Sequence, residues 1–301
     1  MFQLEQSYTS GRRKYSYQPC MSLNLLCLRP MPVMPDARGN SILMSSRQMM
    51  LSRTTCSPKY EFSRTPGQLP GFIGLRLQAL PSSLPGDPCA CIVDFDATEF
   101  EPIAFELALL SCPPDIAASV PKRQAEYFFG RLAARLALDP LGHAGCEVRR
   151  GSMREPIWPE GVIGSISHSS GRAAAVAWPQ RRRRGVGLDL EVPPDAAAIE
   201  ALLTTVVDDA ERARIALVPM HDRTVLTIVF SAKESLFKAV SASVGHYFGF
   251  EAVRLSDFDL ERRLVSLEIR ENLCPRLQPG TTCVVHFLLL DDETVLTSCV
   301  W

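Results

Sequence analysis

The chain has 301 residues, 46% of them hydrophobic, and a formal net charge of −1. That length suits one large domain or two small ones with an ample core, and the near-neutral balance argues against a general nucleic-acid binder. The average hides an asymmetry: residues 1–70 carry nine Lys/Arg against three Asp/Glu, a net of +6, and the rest carry 23 against 30, a net of −7. An anionic ligand of that acidic body must be held by a local cluster of positive charge.

Residues 1–70 sustain neither helical nor strand periodicity and are rich in Ser, Arg, Met and Pro, with seven of the nine methionines at or before Met50. They read as a disordered or targeting extension, or as a misassigned start upstream of an internal Met. The apolar stretch Met21 to Leu28 is cut short by Arg29 and Pro30, and no run approaches the ~18 residues of a membrane span. Of the ten cysteines only Cys89 and Cys91 are close, without a CxxC, and the five histidines are scattered. This pattern gives no zinc site and predicts free thiols in a reducing cytoplasm.

From Gly71 the texture changes. Leu84-Pro-Gly-Asp-Pro88 is turn chemistry, and Cys91 to Phe95 reads as a first strand. Pro121 to Leu138 has the apolar stripe of a helix, with Phe128, Leu132 and Leu136 at helical spacing and Lys122, Arg123, Arg131 and Arg135 punctuating it. Val162 to Trp178 holds two apolar segments broken by Ser-His-Ser-Ser-Gly. Arg181 to Arg184 reads as a solvated basic loop, followed by a strand at Gly185 to Glu191. Ala196 to Leu217 reads as mostly helical, and a further helix as Ser231 to about Ser241. The tail from Val253 onward is expected to be strands, clearest at Val284 to Leu288 and Thr294 to Thr297. The fold class is therefore α+β, with two halves, 71–184 and 185–301, meeting near residue 184.

Three segments carry chemistry. In Gly187-Leu-Asp-Leu-Glu191 the strand period puts Asp189 and Glu191 on one face and Leu188 and Leu190 on the other. Two adjacent carboxylates repel, and a hard cation such as Mg²⁺ relieves that repulsion; a solvated strand end or an arginine partner explains the pair as well. In Phe230-Ser-Ala-Lys-Glu-Ser-Leu-Phe-Lys238, Ser231 and Glu234 have capping-box spacing, and Glu234 and Lys238 suit a surface i,i+4 ion pair. The functional reading makes Glu234 a third oxygen ligand or a base, with Lys238 beside a reacting phosphate. In Gly164-Ser-Ile-Ser-His-Ser-Ser-Gly171, hydroxyls and His168 stand among small residues that let a ligand approach closely. No Gly-x-Ser-x-Gly elbow is present.

Taken in order, these segments resemble the Sfp-type 4'-phosphopantetheinyl transferases, in the branch that includes enterobactin synthetase component D, a siderophore-biosynthesis protein. The resemblance rests on Lys122-Arg123-x-x-Glu126-x-x-x-Gly130-Arg131 and Pro156-x-Trp158-Pro159-x-Gly161-x-x-Gly164-Ser-Ile-Ser-His168. It continues through Gly185 to Glu191 and Phe230 to Lys238, and it leaves residues 1–70 uncovered. It implies a pseudo-twofold pair of α/β halves with coenzyme A in the cleft between them. Asp189, Glu191 and Glu234 would hold Mg²⁺. Lys238 would neutralise the transferring phosphate, and Glu234 would also take the proton of the carrier serine. Ser167 and His168 would contact coenzyme A, His168 at its 3'-phosphate. Arg123 and Arg131 would grip the nucleotide end, with Arg154 a looser match. The implied reaction moves phosphopantetheine from coenzyme A to a serine of an apo carrier protein of peptide, polyketide or fatty-acid synthesis, releasing 3',5'-ADP. The expected protein is a cytoplasmic monomer without nucleic-acid or membrane partners. The competing readings are a Mg²⁺-dependent nucleotide or phosphate-ester hydrolase, and an inactive carrier-binding module.

Overall fold

In the computed structural model of the chain, the residues described are 3–7, 14–18, 66–81, 89–152, 154–181, 183–290 and 293–301. Most of the predicted extension, and the turn at Leu84 to Pro88, lie outside them. Within the extension, β1 (Gln3–Ser7) and β2 (Lys14–Gln18) pair antiparallel, strands that the sequence pattern does not suggest.

The main body begins with β3 (Phe72–Ala79) and β4 (Cys89–Phe95), so the strand at Cys91 is the second of its sheet. Two short helices follow, α1 (Ile103–Leu107) and α2 (Pro114–Ala117), and then the long α3 (Pro121–Leu138). Pro121 opens α3 at its first position, where the missing N–H costs nothing. Two polar side chains of α3 are structural. Gln124 donates to the Ala117 and Ser119 carbonyls at 3.1 and 2.8 Å, and Arg135 donates to those of Ala108 and Leu109. Each thereby satisfies carbonyls left open where a short helix ends.

After the two-residue strands β5 (Arg149–Arg150) and β6 (Pro156–Ile157), the hairpin β7 (Val162–Ser169) and β8 (Arg172–Pro179) turns at Ser170 and Gly171, with φ of 44° and 77°. Two left-handed residues in a two-residue loop match the twist of the flanking strands. Of the expected Ser-His-Ser-Ser-Gly break, the turn is confined to Ser170 and Gly171, and Ser167 to Ser169 continue the strand. The first sheet runs β3-β4-β8-β7, all antiparallel, with α3 on one face.

β9 (Val186–Glu191) opens the second sheet. The region read as mostly helical is two helices, α4 (Ala196–Thr205), which ends with its C-cap at Val206, and α5 (Asp209–Ile215), which Asp208 caps. Asp208 and Glu211 form a true capping box, each side chain bonded to the other's backbone N–H at 2.9 Å. α6 (Asp222–Val244) then runs 23 residues and ends at Gly245 in the left-handed conformation. Ser231 lies in the middle of α6, so its spacing to Glu234 is not a helix start. The apolar pattern from Val225 through Val240 extends the helix past both. β10 (Val253–Asp259), β11 (Leu264–Ile269), β12 (Thr282–Leu289) and β13 (Val295–Val300) complete an antiparallel sheet ordered β10-β11-β12-β13-β9, against which α6 packs.

The two sheets face one another across an apolar layer. Ile92, Ala174, Val176 and Trp178 from the first meet Leu188, Leu190 and Leu296 from the second. The basic loop is anchored there: the Arg183 guanidinium lies 3.8 Å over the Trp178 ring, so it is not wholly solvated. Among the described residues no two cysteines are joined by a disulfide, and no helix is long and apolar enough to cross a membrane.

The buried apolar clusters of the described residues begin at Leu69. On the sequence reading of residues 1–70 as an extension, removal of residues 1–65 is expected to leave the thermal midpoint and the activity of the protein essentially unchanged at moderate salt. A rate loss confined to low ionic strength would mark electrostatic steering by the basic segment. A large drop in midpoint would show that part of it packs on the body.

Candidate active site

Among the described residues β9 is an edge strand, paired by backbone only with β13, so its outer N–H and C=O groups need partners. They find them in the hydroxyls of β7. The Leu188 N–H donates to Ser165 Oγ at 2.7 Å and the Leu190 N–H to Ser167 Oγ at 3.2 Å. Ser167 Oγ in turn donates to Asp189 Oδ1 at 2.8 Å, and Ser169 Oγ to Glu191 Oε2 at 3.3 Å. Three serines at period two thus stitch the sheets together. The same alternation sends Ile166 and His168 to the opposite face, toward α3, so Ser167 and His168 look in opposite directions.

α6 lies against β9 so closely that a Cβ on Gly187 would fall 1.6 Å from the Ser235 carbonyl oxygen. Only glycine fits there. This contact brings Ser231, Glu234 and Lys238, one face of α6, over Asp189. Lys238 Nζ donates to Asp189 Oδ1 at 2.6 Å, and to Ser167 Oγ and the Leu188 carbonyl at 3.1 Å each. Both partners of this ion pair are fully buried. Ser231 Oγ donates to Asp189 Oδ2 at 2.8 Å. The Asp189 and Lys238 charges therefore serve one another, and the sequence expectation of a surface Glu234–Lys238 pair gives way to this interior one.

Glu234 is buried and Glu191 half-buried beside Asp189. Burial pushes Glu234 up to about 7, with the Asp189 charge adding to the effect and Lys238 opposing it. Glu191 is likewise held well above the usual carboxylate range by burial and by Asp189 and Glu234. Among the described residues, no group of three or more His, Cys, Asp or Glu is gathered as a preformed metal cage.

On the α3 side of β7, Arg123 Nη1 donates to His168 Nε2 at 2.9 Å, while Glu126 Oε2 stands 3.6 Å from His168 Nδ1 and 3.4 Å from Arg123. Burial, then the Arg123 charge, hold His168 well below its usual pKa, so the ring is neutral. With Nε2 accepting, the ring proton sits on Nδ1, toward Glu126. Burial raises Glu126, opposed by Arg123 and Lys122. Arg131 is 6% exposed, stacks 4.9 Å from the Tyr127 ring centroid, and its Nη1 has no hydrogen-bond partner among the described residues. Gly130 gives α3 room against β7, since a Cβ there would sit 3.1 Å from Ile166 Cγ2. Arg154 stands apart from this group on an exposed turn between β5 and β6, where its charge helps lower Asp115.

Sequence reasoning singled out Ser165 and Ser169 as polar residues of this segment without foreseeing their bonds to β9, and it missed Thr297. It also missed the buried Lys233–Glu211 pair at 2.7 Å, which ties α6 to α5 on the side away from Asp189. The serines carried a legible signal, hydroxyls at period two in a strand; Thr297 carried none.

A mixed α+β chain that sets carboxylates and a lysine at the seam between two sheets, with an arginine–histidine pair on the α3 side of β7, has the makings of an enzyme site. The model of the 4'-phosphopantetheinyl transferase N-terminal domain matches residues 113–178, and that of the 4'-phosphopantetheinyl transferase superfamily matches residues 185–293. The chain is 35% identical over 172 residues to enterobactin synthase component D of Salmonella typhi, spanning 56% of this chain and 68% of that protein. It is 35% identical over 174 residues to 4'-phosphopantetheinyl transferase PptT of Mycobacterium tuberculosis, 53% of this chain and 74% of that one. A third relative is 4'-phosphopantetheinyl transferase Npt of Nocardia iowensis, 38% identical over 150 residues, 48% and 64% of the two chains. The chain belongs to the 4'-phosphopantetheinyl transferase superfamily.

Proposed function

We propose that this protein moves the 4'-phosphopantetheine group of coenzyme A to a serine of an apo carrier protein of peptide, polyketide or fatty-acid synthesis, releasing 3',5'-ADP. One observation supports the residue assignment: the β7 serines hold Asp189 and Glu191 on one face of the strand, Glu234 feels the Asp189 charge, and the Arg123–His168 pair stands on the other face. A donor with a pyrophosphate at one end and a 3'-phosphate at the other needs two such stations.

The carboxylates suit Mg²⁺. Asp189 has about four lone-pair positions, and Lys238, Ser167 and Ser231 occupy three, leaving one. Glu191 and Glu234 are raised by burial and mutual repulsion, the condition a hard cation with oxygen ligands relieves. Asp189, Glu191 and Glu234 would hold the ion, which supplies charge neutralisation to the pyrophosphate when bound. Glu234, poised near neutrality, takes the proton of the attacking serine hydroxyl. Lys238, one turn along α6, brings positive charge to the transferring phosphate. Ser167 serves by fixing Asp189 and Lys238, which is where its hydroxyl points. Arg123 and Arg131 take the nucleotide phosphates, the open Arg131 Nη1 being a donor in want of an anion. Arg154 adds a longer-range charge at the cleft mouth. We further assign residues 71–184 and 185–301 to two pseudo-twofold halves with coenzyme A between them, residues 1–70 to an extension, and the protein to the cytoplasm as a monomer.

Incubation with coenzyme A, Mg²⁺ and an apo carrier tests the reaction. Transfer gives a carrier mass gain together with 3',5'-ADP. Hydrolysis of coenzyme A without a mass gain would make the protein a hydrolase, and carrier binding with neither product would make it a binding module. His168→Ala is expected to weaken coenzyme A roughly 10- to 150-fold, the worth of a charge-assisted hydrogen bond, while dephospho-coenzyme A changes little. Equal losses in KM for the two donors would make His168 a structural residue.

A further inference from the structure

Asp189 on β9 pairs across the sheet with Thr297 on β13, and the two are joined a second time through α6. Thr297 is fully buried. Its Oγ1 lies 2.9 Å from Ser231 Oγ and 2.9 Å from the Ser231 carbonyl oxygen, and 2.6 Å from Ser235 Oγ. Ser231 Oγ lies 2.8 Å from Asp189 Oδ2. Hydrogen-bond chemistry gives this chain a direction. An ionised carboxylate only accepts, so the single Ser231 proton goes to Asp189. Thr297 then donates to Ser231, at its hydroxyl or its carbonyl, and Ser235 donates to Thr297. On the other oxygen, Oδ1 is filled by Lys238 and Ser167. Oδ2, which keeps the one open lone pair, takes its one side-chain donor from Ser231, and Thr297 Oγ1 stands within hydrogen-bond reach of both the hydroxyl and the carbonyl of Ser231.

We propose that Thr297, acting through Ser231, is the positioning residue that aims the open lone pair of Asp189 at a divalent cation. This rests on the proposed role of Asp189 as a cation ligand. The arrangement follows a general habit of metal sites, in which a carboxylate ligand is oriented by hydrogen-bond donors behind it and loss of such a donor weakens metal binding about 10- to 100-fold. Packing of α6 on β13 needs only the shape of Thr297, whereas aiming Asp189 needs its hydroxyl. Thr297→Val keeps the shape and the β-branch and removes the hydroxyl.

The test is direct Mn²⁺ binding to the full-length protein, read by electron paramagnetic resonance of the free ion without coenzyme A or carrier. It compares wild type, Thr297→Val, Thr297→Ser, Ser231→Ala and Asp189→Asn, with thermal midpoints alongside. Thr297→Val is expected to raise the Mn²⁺ Kd about 10- to 100-fold with its fold retained, and Thr297→Ser to bind within about threefold of wild type. Ser231→Ala removes the same donor from α6 and should match the valine variant, which keeps the test decisive if Thr297→Val folds poorly. Wild-type affinity in Ser231→Ala or Thr297→Val overturns the proposal, as does a serine variant as weak as the valine one. If Asp189→Asn binds Mn²⁺ as wild type does, the ligand role of Asp189 itself fails, whatever Thr297 does.

Discussion

Asp189→Ala is expected to abolish transfer and also to destabilise the protein by about 3–5 kcal/mol, the usual cost of stranding one partner of a buried ion pair. Position on an exposed strand face would make the change harmless to the fold, but here Lys238 is fully buried against Asp189 at 2.6 Å and would be left as an unpaired interior charge. Two further variants separate the effects. Asp189→Ala with Lys238→Met removes both charges and should recover most of the lost stability, since an apolar replacement of a buried pair is often neutral or better. Transfer should stay abolished. Glu191→Ala should lose transfer without that loss of stability, since the raised Glu191 carboxyl burdens the metal-free fold and does not support it. The measurements are chemical denaturation and carrier mass gain. Recovered transfer in the double variant would remove Asp189 from the active site.

Glu234→Gln is expected to cut transfer by at least about 100-fold, the low end for loss of a general base, and to make the metal-free protein more stable at pH 8. Burial raises the folded-state pKa from 4.5 to about 7. A raised carboxylate favours folding while protonated, so its contribution is complete below about pH 4.5 and is lost as pH rises through about 7. The span corresponds to roughly 3 kcal/mol. In chelator, wild-type stability should fall across that window, and Glu234→Gln should flatten much of the slope, with Glu191 supplying the remainder in the same direction. Midpoints from pH 4.5 to 8 check this. An unchanged slope in the glutamine variant would show that Glu234 is not the burdened group. Since Ser231 and Glu234 lie inside α6, no helix cap is lost in this substitution, and a stability gain is not masked by one.

Much of the site was legible because it follows from short-range rules. Strand alternation placed Asp189 and Glu191 on one face with Leu188 and Leu190 opposite, and helical spacing put Glu234 and Lys238 on one side of a helix. The same local rules misjudged Ser231, because a capping-box pattern recurs inside helices whenever Ser and Glu fall three apart. The decisive context, an apolar period that begins at Val225, lies upstream. The resemblance names Ser167 and His168 together, and strand alternation sends the two to opposite faces of β7.

What the sequence determined by itself is the α+β class, the long helix at 121–138, the 186–191 strand, the strand-rich tail and the identity of the acidic and basic candidates. Each is encoded in a periodicity of two or 3.6 or in a motif within one element. What only the tertiary structure decided is who partners whom. Lys238 turned inward to Asp189 because Gly187 lets α6 touch β9. The serines of β7 became the partners of an edge strand in the other sheet. Thr297 came to stand behind Asp189 although it is more than a hundred positions away. Such pairings depend on the register between strands and on the close approach of helix to sheet, which are set by the whole packed core and are written in no single segment of the chain.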